Sequence, residues 1–104
     1  MDKIAMLNQI LAQNPTDAFA RYGLAMAHAS EGDLTTSIAE FDRLLSDHSG
    51  YTAGYFMAAQ TLVKAGKIDA ARSRLTEGIA AANREGNSHA AGEMQQLLGE
   101  LEDE

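Results

Sequence analysis

The sequence predicts an all-α protein of about six helices, arranged as antiparallel helix-turn-helix repeats. Apolar residues recur at steps of three and four along nearly the whole chain, which is the spacing of one helix face. Proline occurs only once, as Pro15. Two segments also match each other at a fixed offset of 34 residues, a length typical of a helix-turn-helix repeat. With 104 residues, 45% of them hydrophobic, we expect a single compact domain.

The first helix is predicted to end at Asn14, because a proline disfavours helical geometry in the residue before it. We expect Asp17 to cap the second helix and Gly32 to end it. Four further helices follow, over about 34–47, 52–65, 69–84 and 87–104, separated by glycine-containing breaks. The apolar stripe of the first helix is predicted to comprise Ile4, Leu7, Ile10 and Leu11.

The two repeat units are predicted at 18–51 and 52–85. The offset places Gly32 on Gly66, and each glycine precedes an aliphatic residue by two positions. This glycine pair is informative because it marks the same turn in both units. Further pairs at the same offset are Leu34 with Ile68, Ile38 with Arg72, Phe41 with Leu75, and Leu45 with Ile79.

At these residues the chain resembles the tetratricopeptide repeat family. The matching positions are Leu24, Ala25, Gly32, Asp33, Ile38 and Phe41 in the first unit, and Tyr55, Ala59, Gly66, Ala71 and Gly78 in the second. The resemblance implies a short right-handed α-solenoid, with residues 1–15 as the second helix of a truncated repeat and 87–104 as a closing helix. Ser49 and Asn83 replace the terminal proline of the family pattern.

The terminal helices are expected to cover the apolar faces of the repeats, because one helix pair cannot bury its own. Ile4, Leu7 and Leu11 would cover the first unit, and the last helix would cover the second with Leu97, Leu98 and Leu101. Small residues are expected where helices approach most closely, namely Ala25, Ala59, Ala71 and Gly78.

The resemblance implies a concave surface lined by the first helix of each unit. The predicted contact residues for a protein or peptide partner are Phe19, Tyr22, Met26, Phe56, Met57, Gln60 and Lys64. Extending the offset of 34 into the last helix adds Asn87, Ala90, Ala91 and Met94. This lining is rich in aromatic residues and methionine, which suits adaptable apolar contacts with a peptide or helix. It lacks the basic groups of the family's clamp for carboxylate-ended chaperone tails, apart from Lys64.

Two alternatives remain open for this surface. The aromatic and methionine side chains could pack between helices as core, because a stripe at helical spacing is usually core. A second copy of the chain could also fill the groove, which would make the protein a homodimer or another homo-oligomer.

Charge and composition argue against other classes of function. A net charge of -7 disfavours nucleic acid and membrane surfaces, and no segment is long and apolar enough for a bilayer crossing, so we expect a cytoplasmic protein. No enzyme activity, cofactor or metal site is predicted. His28 falls at a core position, His48 and His89 are expected to face solvent near helix ends, and the acidic stretch 100–104 is expected to be a solvated tail.

Overall fold

The computed structural model describes residues 2–102, and this part of the chain is all-α. The helices confirm the predicted fold class and its breaks to within two residues. Their bounds are α1 Lys3–Gln13, α2 Ala18–Ser30, α3 Leu34–Asp47, α4 Thr52–Lys64, α5 Ile68–Arg84 and α6 Ser88–Glu102. The last two residues of the predicted acidic tail lie outside the described range.

Glycine ends α2, α4 and α5 by the same geometry. Gly32, Gly66 and Gly86 have φ angles of 84°, 77° and 73°, a region that only glycine adopts at little cost. The residue after each glycine then donates its N–H back to a carbonyl of the last helical turn, as Asp33 does to His28 at 2.9 Å. Such bonds satisfy carbonyl groups that the end of a helix leaves unpaired. The predicted turns at Gly32 and Gly66 are therefore confirmed.

The helices pack in sequence order, each on the next, around one core that runs from α2 to α6. Phe41 and Leu75, which match at the repeat offset, are both completely buried. The predicted small residues lie at close contacts between helices. A Cβ atom added to Gly78 would lie 2.6 Å from the Cβ of Tyr55, closer than carbon atoms approach without strain.

The terminal helices cover the two ends of the stack. In α1, Leu11 is buried with Ala20 and Leu24, and Leu7 packs on Gly23. The inclusion of Ile10 in this stripe was wrong, because its side chain is 44% exposed. In α6, Leu101 is buried, and Leu97 and Leu98 are partly buried against the core as expected. Within residues 2–102, no helix combines the length and apolarity needed to cross a membrane.

The first helices of the pairs form one side of the stack. Helix α2 contacts α4 and α4 contacts α6, whereas the backbones of α3 and α5 do not pack directly on each other within residues 34–84. A salt bridge of 2.7 Å from Arg74 to Asp42 connects these two outer helices instead. The close approach of α2, α4 and α6 defines an inner groove, and the predicted contact residues lie on these helices.

Candidate functional site

The inner groove contains two hollows that share Met57. The hollow at the amino-terminal ends of the helices, called here the amino-end hollow, lies between α2, α4 and α6 and includes Tyr22 and Phe56. The hollow toward their carboxyl ends, the carboxyl-end hollow, lies between α2 and α4 and includes Met26, Gln60 and Lys64. Six of the seven predicted contact residues thus line the groove.

Tyr22 is held in place by two other aromatic rings. Its ring meets the edge of buried Phe41, with centroids 6.3 Å apart, and lies 5.4 Å from the ring of Tyr51. Burial and the neighbouring Tyr51 raise the pKa of Tyr22, so its hydroxyl stays uncharged well above neutral pH. Tyr22 therefore presents a fixed and neutral wall of the amino-end hollow.

Phe56, Met57 and Met26 are partly buried, with the rest of each side chain facing solvent in the groove. Each packs against the core on one side and lines a hollow on the other. The sequence left open whether these three side chains pack in the core or line a surface, and each of them does both. A partly exposed apolar side chain on a rigid support can contact a ligand without reordering the fold.

Phe19 differs from the other predicted residues. Its side chain is 79% exposed, and it lines neither hollow of the groove. Helix α1 packs antiparallel on α2, with Leu11 near Ala20. Their chain neighbours Ile10 and Phe19 therefore lie at the same end of this helix pair. Ile10 and Met6, which is 51% exposed, are the other large hydrophobic residues exposed within the described part of the chain. We refer to Met6, Ile10 and Phe19 as the α1 edge patch.

The extension of the groove into α6 at an offset of 34 was partly wrong. Ala91 is 4% exposed, belongs to the core and does not line the hollow, whereas Met94 is 1% exposed, packs in the core and also lines the amino-end hollow. Helix α4 begins at Thr52 and α6 at Ser88, an offset of 36, because α5 has 17 residues where α3 has 14. Two additional residues rotate α6 by more than half a turn relative to the expected register. Asn87 and Ala90 do line the amino-end hollow, and the Asn87 side chain accepts the N–H of Ala90 as a helix cap.

The rotation brings polar residues of α6 to the groove. His89 and Glu93 line the amino-end hollow, and Glu93, Gln96 and Glu100 line a third hollow with Phe56 and Gln60. We call His89, Glu93, Gln96 and Glu100 the α6 wall. Its members recur at steps of four, three and four residues, the spacing of one helix face. The sequence does mark this register. The turn residue Gly86 and the helix cap Asn87 lie two residues later than an offset of 34 from the start of α4 would place them.

The three histidines do not form a site together. His28 is partly buried, with Nδ1 3.9 Å from an Asp33 carboxylate oxygen. The expectation that His48 faces solvent was wrong in part, because its Nε2 lies 2.7 Å from the carbonyl oxygen of Thr16 and ties α3 to the loop before α2. His89 is exposed as expected.

Comparison with known proteins places the chain among helical repeat proteins. The family described as tetratricopeptide repeat matches residues 4–52. A repeat-containing protein of that name from Pseudomonas aeruginosa is 27% identical over 96 residues, which cover 92% of this chain and 91% of the relative.

Solved structures share the arrangement of the helices. A tetratricopeptide repeat domain protein from Salinibacter ruber is 26% identical, with a TM-score of 0.82 over 86% of this chain and 91% of that one. The type III secretion chaperone SycD of Yersinia enterocolitica, solved with a peptide of the translocator YopD, has a TM-score of 0.85 at 16% identity. That match covers 95% of this chain and 76% of SycD, and at this identity it shows a common fold.

Proposed function

Because the chain belongs to the tetratricopeptide repeat family, we propose that it is a protein-interaction module that holds a peptide or helix in the inner groove. Tyr22, Phe56 and Met57 are the proposed main apolar contacts, and Met26, Gln60 and Lys64 extend them toward the carboxyl-end hollow. The peptide complex of the structurally similar SycD supports this class of function.

The observation that carries the proposal is the convergence of large, partly exposed apolar side chains from two helices on one hollow. Tyr22 comes from α2, and Phe56 and Met57 come from α4. A hollow of this kind accepts an apolar side chain of a partner and removes it from water, which contributes roughly 1.5–3 kcal/mol for a Leu, Met or Phe. Aromatic anchors in such positions commonly dominate binding energy.

A displayed peptide library tests the proposal. Peptides selected on the wild-type protein should bind Phe56→Ala and Met57→Ala more weakly by about 2 kcal/mol each, measured by fluorescence polarisation. Met6→Ala is the matched methionine control, because Met6 is exposed outside both hollows, and it should leave affinity unchanged. Equal affinity of wild type and both groove variants for every selected peptide would contradict the proposal.

A stability control separates binding from folding. Leu24 is 2% exposed in the cluster under α1, so Leu24→Ala should cost about 2–5 kcal/mol of unfolding free energy. The groove variants should cost less, because their side chains are partly solvated before truncation. If they unfold as readily as Leu24→Ala and keep every peptide, these residues act as core.

Self-association is the second candidate, and the α1 edge patch favours it. Met6 and Ile10 lie one turn apart on α1, Ile10 and Phe19 lie at the same end of the α1–α2 pair, and Phe19 keeps most of its area in contact with water. Exposed apolar side chains that lie near one another are typical of a contact surface. Sedimentation equilibrium over a hundredfold concentration range should then show a dimer that Phe19→Asp converts to monomer. A monomer at all concentrations in the wild type would contradict this candidate and leave the groove proposal standing.

A further inference from the structure

The charge of the groove differs between its two sides. The residues of α2 that line the two hollows carry no charged side chain, and α4 contributes Lys64 alone. The α6 wall contributes Glu93 and Glu100, and Ser88–Glu102 contains no lysine or arginine. The groove therefore runs from an apolar side at α2 to an acidic side at α6.

Glu93 lies at the boundary between these sides. It lines both the amino-end hollow and the third hollow, and Phe56 is its neighbour in each. Its carboxylate is about half exposed, and the nearest basic group is His89, 3.6 Å away, which adds charge only when protonated. Glu100 has no ion pair with any residue of the range 2–102. Both carboxylates are thus available to a cation of a partner.

From this arrangement we infer that the groove selects peptides in which lysine or arginine lies close to a bulky apolar residue. The inference rests on the proposed function and specifies its partner chemistry. The apolar residue packs on Phe56 and Met57, and the cation pairs with Glu93 or Glu100. A net charge of -7 on the whole chain also attracts cationic peptides before they dock.

Three synthetic peptides of equal length test the inference. They share one arrangement of Leu, Met and Phe anchors and differ at the remaining positions, which carry Lys, Gln or Glu. We expect the Lys peptide to bind about tenfold more tightly than the Gln peptide at low salt, with the Glu peptide weakest. The Lys preference should shrink severalfold between 50 and 500 mM NaCl, because exposed charges are screened.

Charge reversal on the protein locates the effect. Glu93→Lys should weaken the Lys peptide about fivefold and strengthen the Glu peptide, while Glu93→Gln should have an intermediate effect. Glu77→Lys is the matched control, because it changes net charge equally from the opposite side of the stack, where Glu77 lies with Ile38 and Arg74. It should alter the affinity of each peptide by less than about twofold. Thermal melting followed by circular dichroism verifies that each variant is folded.

The outcomes separate the two proposals. If Gln and Glu peptides bind as well as the Lys peptide, and do so through Phe56, the groove function stands and the charge preference is wrong. If Glu93→Lys and Glu77→Lys weaken the Lys peptide equally, the preference comes from net charge and the assignment to α6 is wrong. If no peptide of any charge binds at micromolar concentration, both proposals fail.

Discussion

The two helix pairs, α2–α3 and α4–α5, reach the same backbone arrangement with different side chains. At the repeat offset, Arg21 corresponds to Tyr55, and both donate a hydrogen bond to the carbonyl oxygen of the residue six positions earlier. Arg21 donates to Pro15 at 2.9 Å and Tyr55 donates to Ser49 at 2.8 Å. The first helix of each pair is thus tied to the loop before it by the same bond. In both units a long side chain with a donor at its end makes this bond.

A glycine lies at the contact of each pair with the following helix, once in the following helix and once in the pair itself. Leu44 of α3 packs toward Gly54 of α4, where an added Cβ would lie 3.0 Å from the leucine side chain. Gly78 of α5, which matches Leu44 at the repeat offset, meets Met94 of α6, where an added Cβ would lie 2.5 Å from the sulfur. Close packing therefore constrains the pair of residues rather than either position alone.

The two pairs place their polar side-chain bonds differently. The Ser37 hydroxyl donates to the carbonyl oxygen of Ala25 at 2.8 Å in the buried core, where the second pair has Ala71. Asp33 caps α3, whereas Lys67 at the start of α5 makes no such bond. The first pair packs between α1 and α4, and the second packs between α3 and α6. The buried hydroxyl bond and the acidic cap therefore distinguish the first pair from the second.

The largest expected effect tests the packing of Leu44 against Gly54. Leu44→Ala should lower the unfolding free energy by about 2–5 kcal/mol, because Gly54 opposite offers no side chain to fill the cavity. Chemical denaturation with an unchanged denaturant slope measures the loss. A cost below about 1 kcal/mol would show that the contact is loosely packed.

The ion pair of the first helix pair should have the next largest effect. Glu40→Ala leaves the Arg21 guanidinium buried without its carboxylate, and its Nε already has no hydrogen-bond partner within residues 2–102. We expect a loss of about 2–3 kcal/mol, reduced from a fully buried pair because Glu40 is partly exposed. Tyr55→Phe, which removes one neutral hydrogen bond from the second pair, should cost about 1 kcal/mol. Equal costs for the two variants would contradict the greater cost expected for breaking the partly buried ion pair.

A glycine pair tests the close approach of α5 and α6. Gly78→Ala should destabilise the protein by about 1–3 kcal/mol, because its methyl group meets Met94 and Tyr55. Gly99→Ala in α6 is the matched control, since nothing lies within 4 Å of its added Cβ, and it should stabilise the helix by about 0.5–1 kcal/mol. A gain of stability in both variants would rule out the tight contact at Gly78.

The smallest effect concerns the uneven caps. Lys67→Asp should give α5 the cap that Asp33 gives α3, and raise stability by about 0.5–1 kcal/mol at pH 7.

Hydrogen bonds from Thr36 hold the pKa of Asp33 below its usual value. A depressed pKa stabilises the fold above about pH 4 and loses that contribution as pH falls further. Asp33→Asn should therefore flatten the decline of stability below pH 4; an unchanged decline would assign it to other carboxylates.

The helices could be predicted from the sequence because local signals mark their ends. Asp17 caps α2 with a 2.9 Å bond, and Gly32 and Gly66 adopt the left-handed turns expected of them. The small residues at close contacts were also predictable, because the repeat offset placed Ala25 on Ala59. These features depend on nearby residues or on a strict period.

The register of α6 could not be obtained from the period, because α5 is longer than α3. A constant offset placed Ala91 in the groove, while the structure buries Ala91 and brings Glu93 to the groove instead. Ile10 was missed for a related reason, since α1 packs on α2 alone and leaves its other faces in solvent. Side-chain direction at the ends of the stack depends on which neighbours exist. The contact residues of the groove remain a proposal.

Chemical-shift mapping tests the central claim, that the inner groove is the binding surface. Isotope-labelled protein titrated with a library-selected peptide should show its largest shift changes at Tyr22, Phe56, Met57 and Glu93. Residues of the opposite side, such as Ile38 and Arg74 between α3 and α5, should change little. The largest changes at Ile38 and Arg74, with Phe56 and Glu93 unaffected at saturation, would contradict the account.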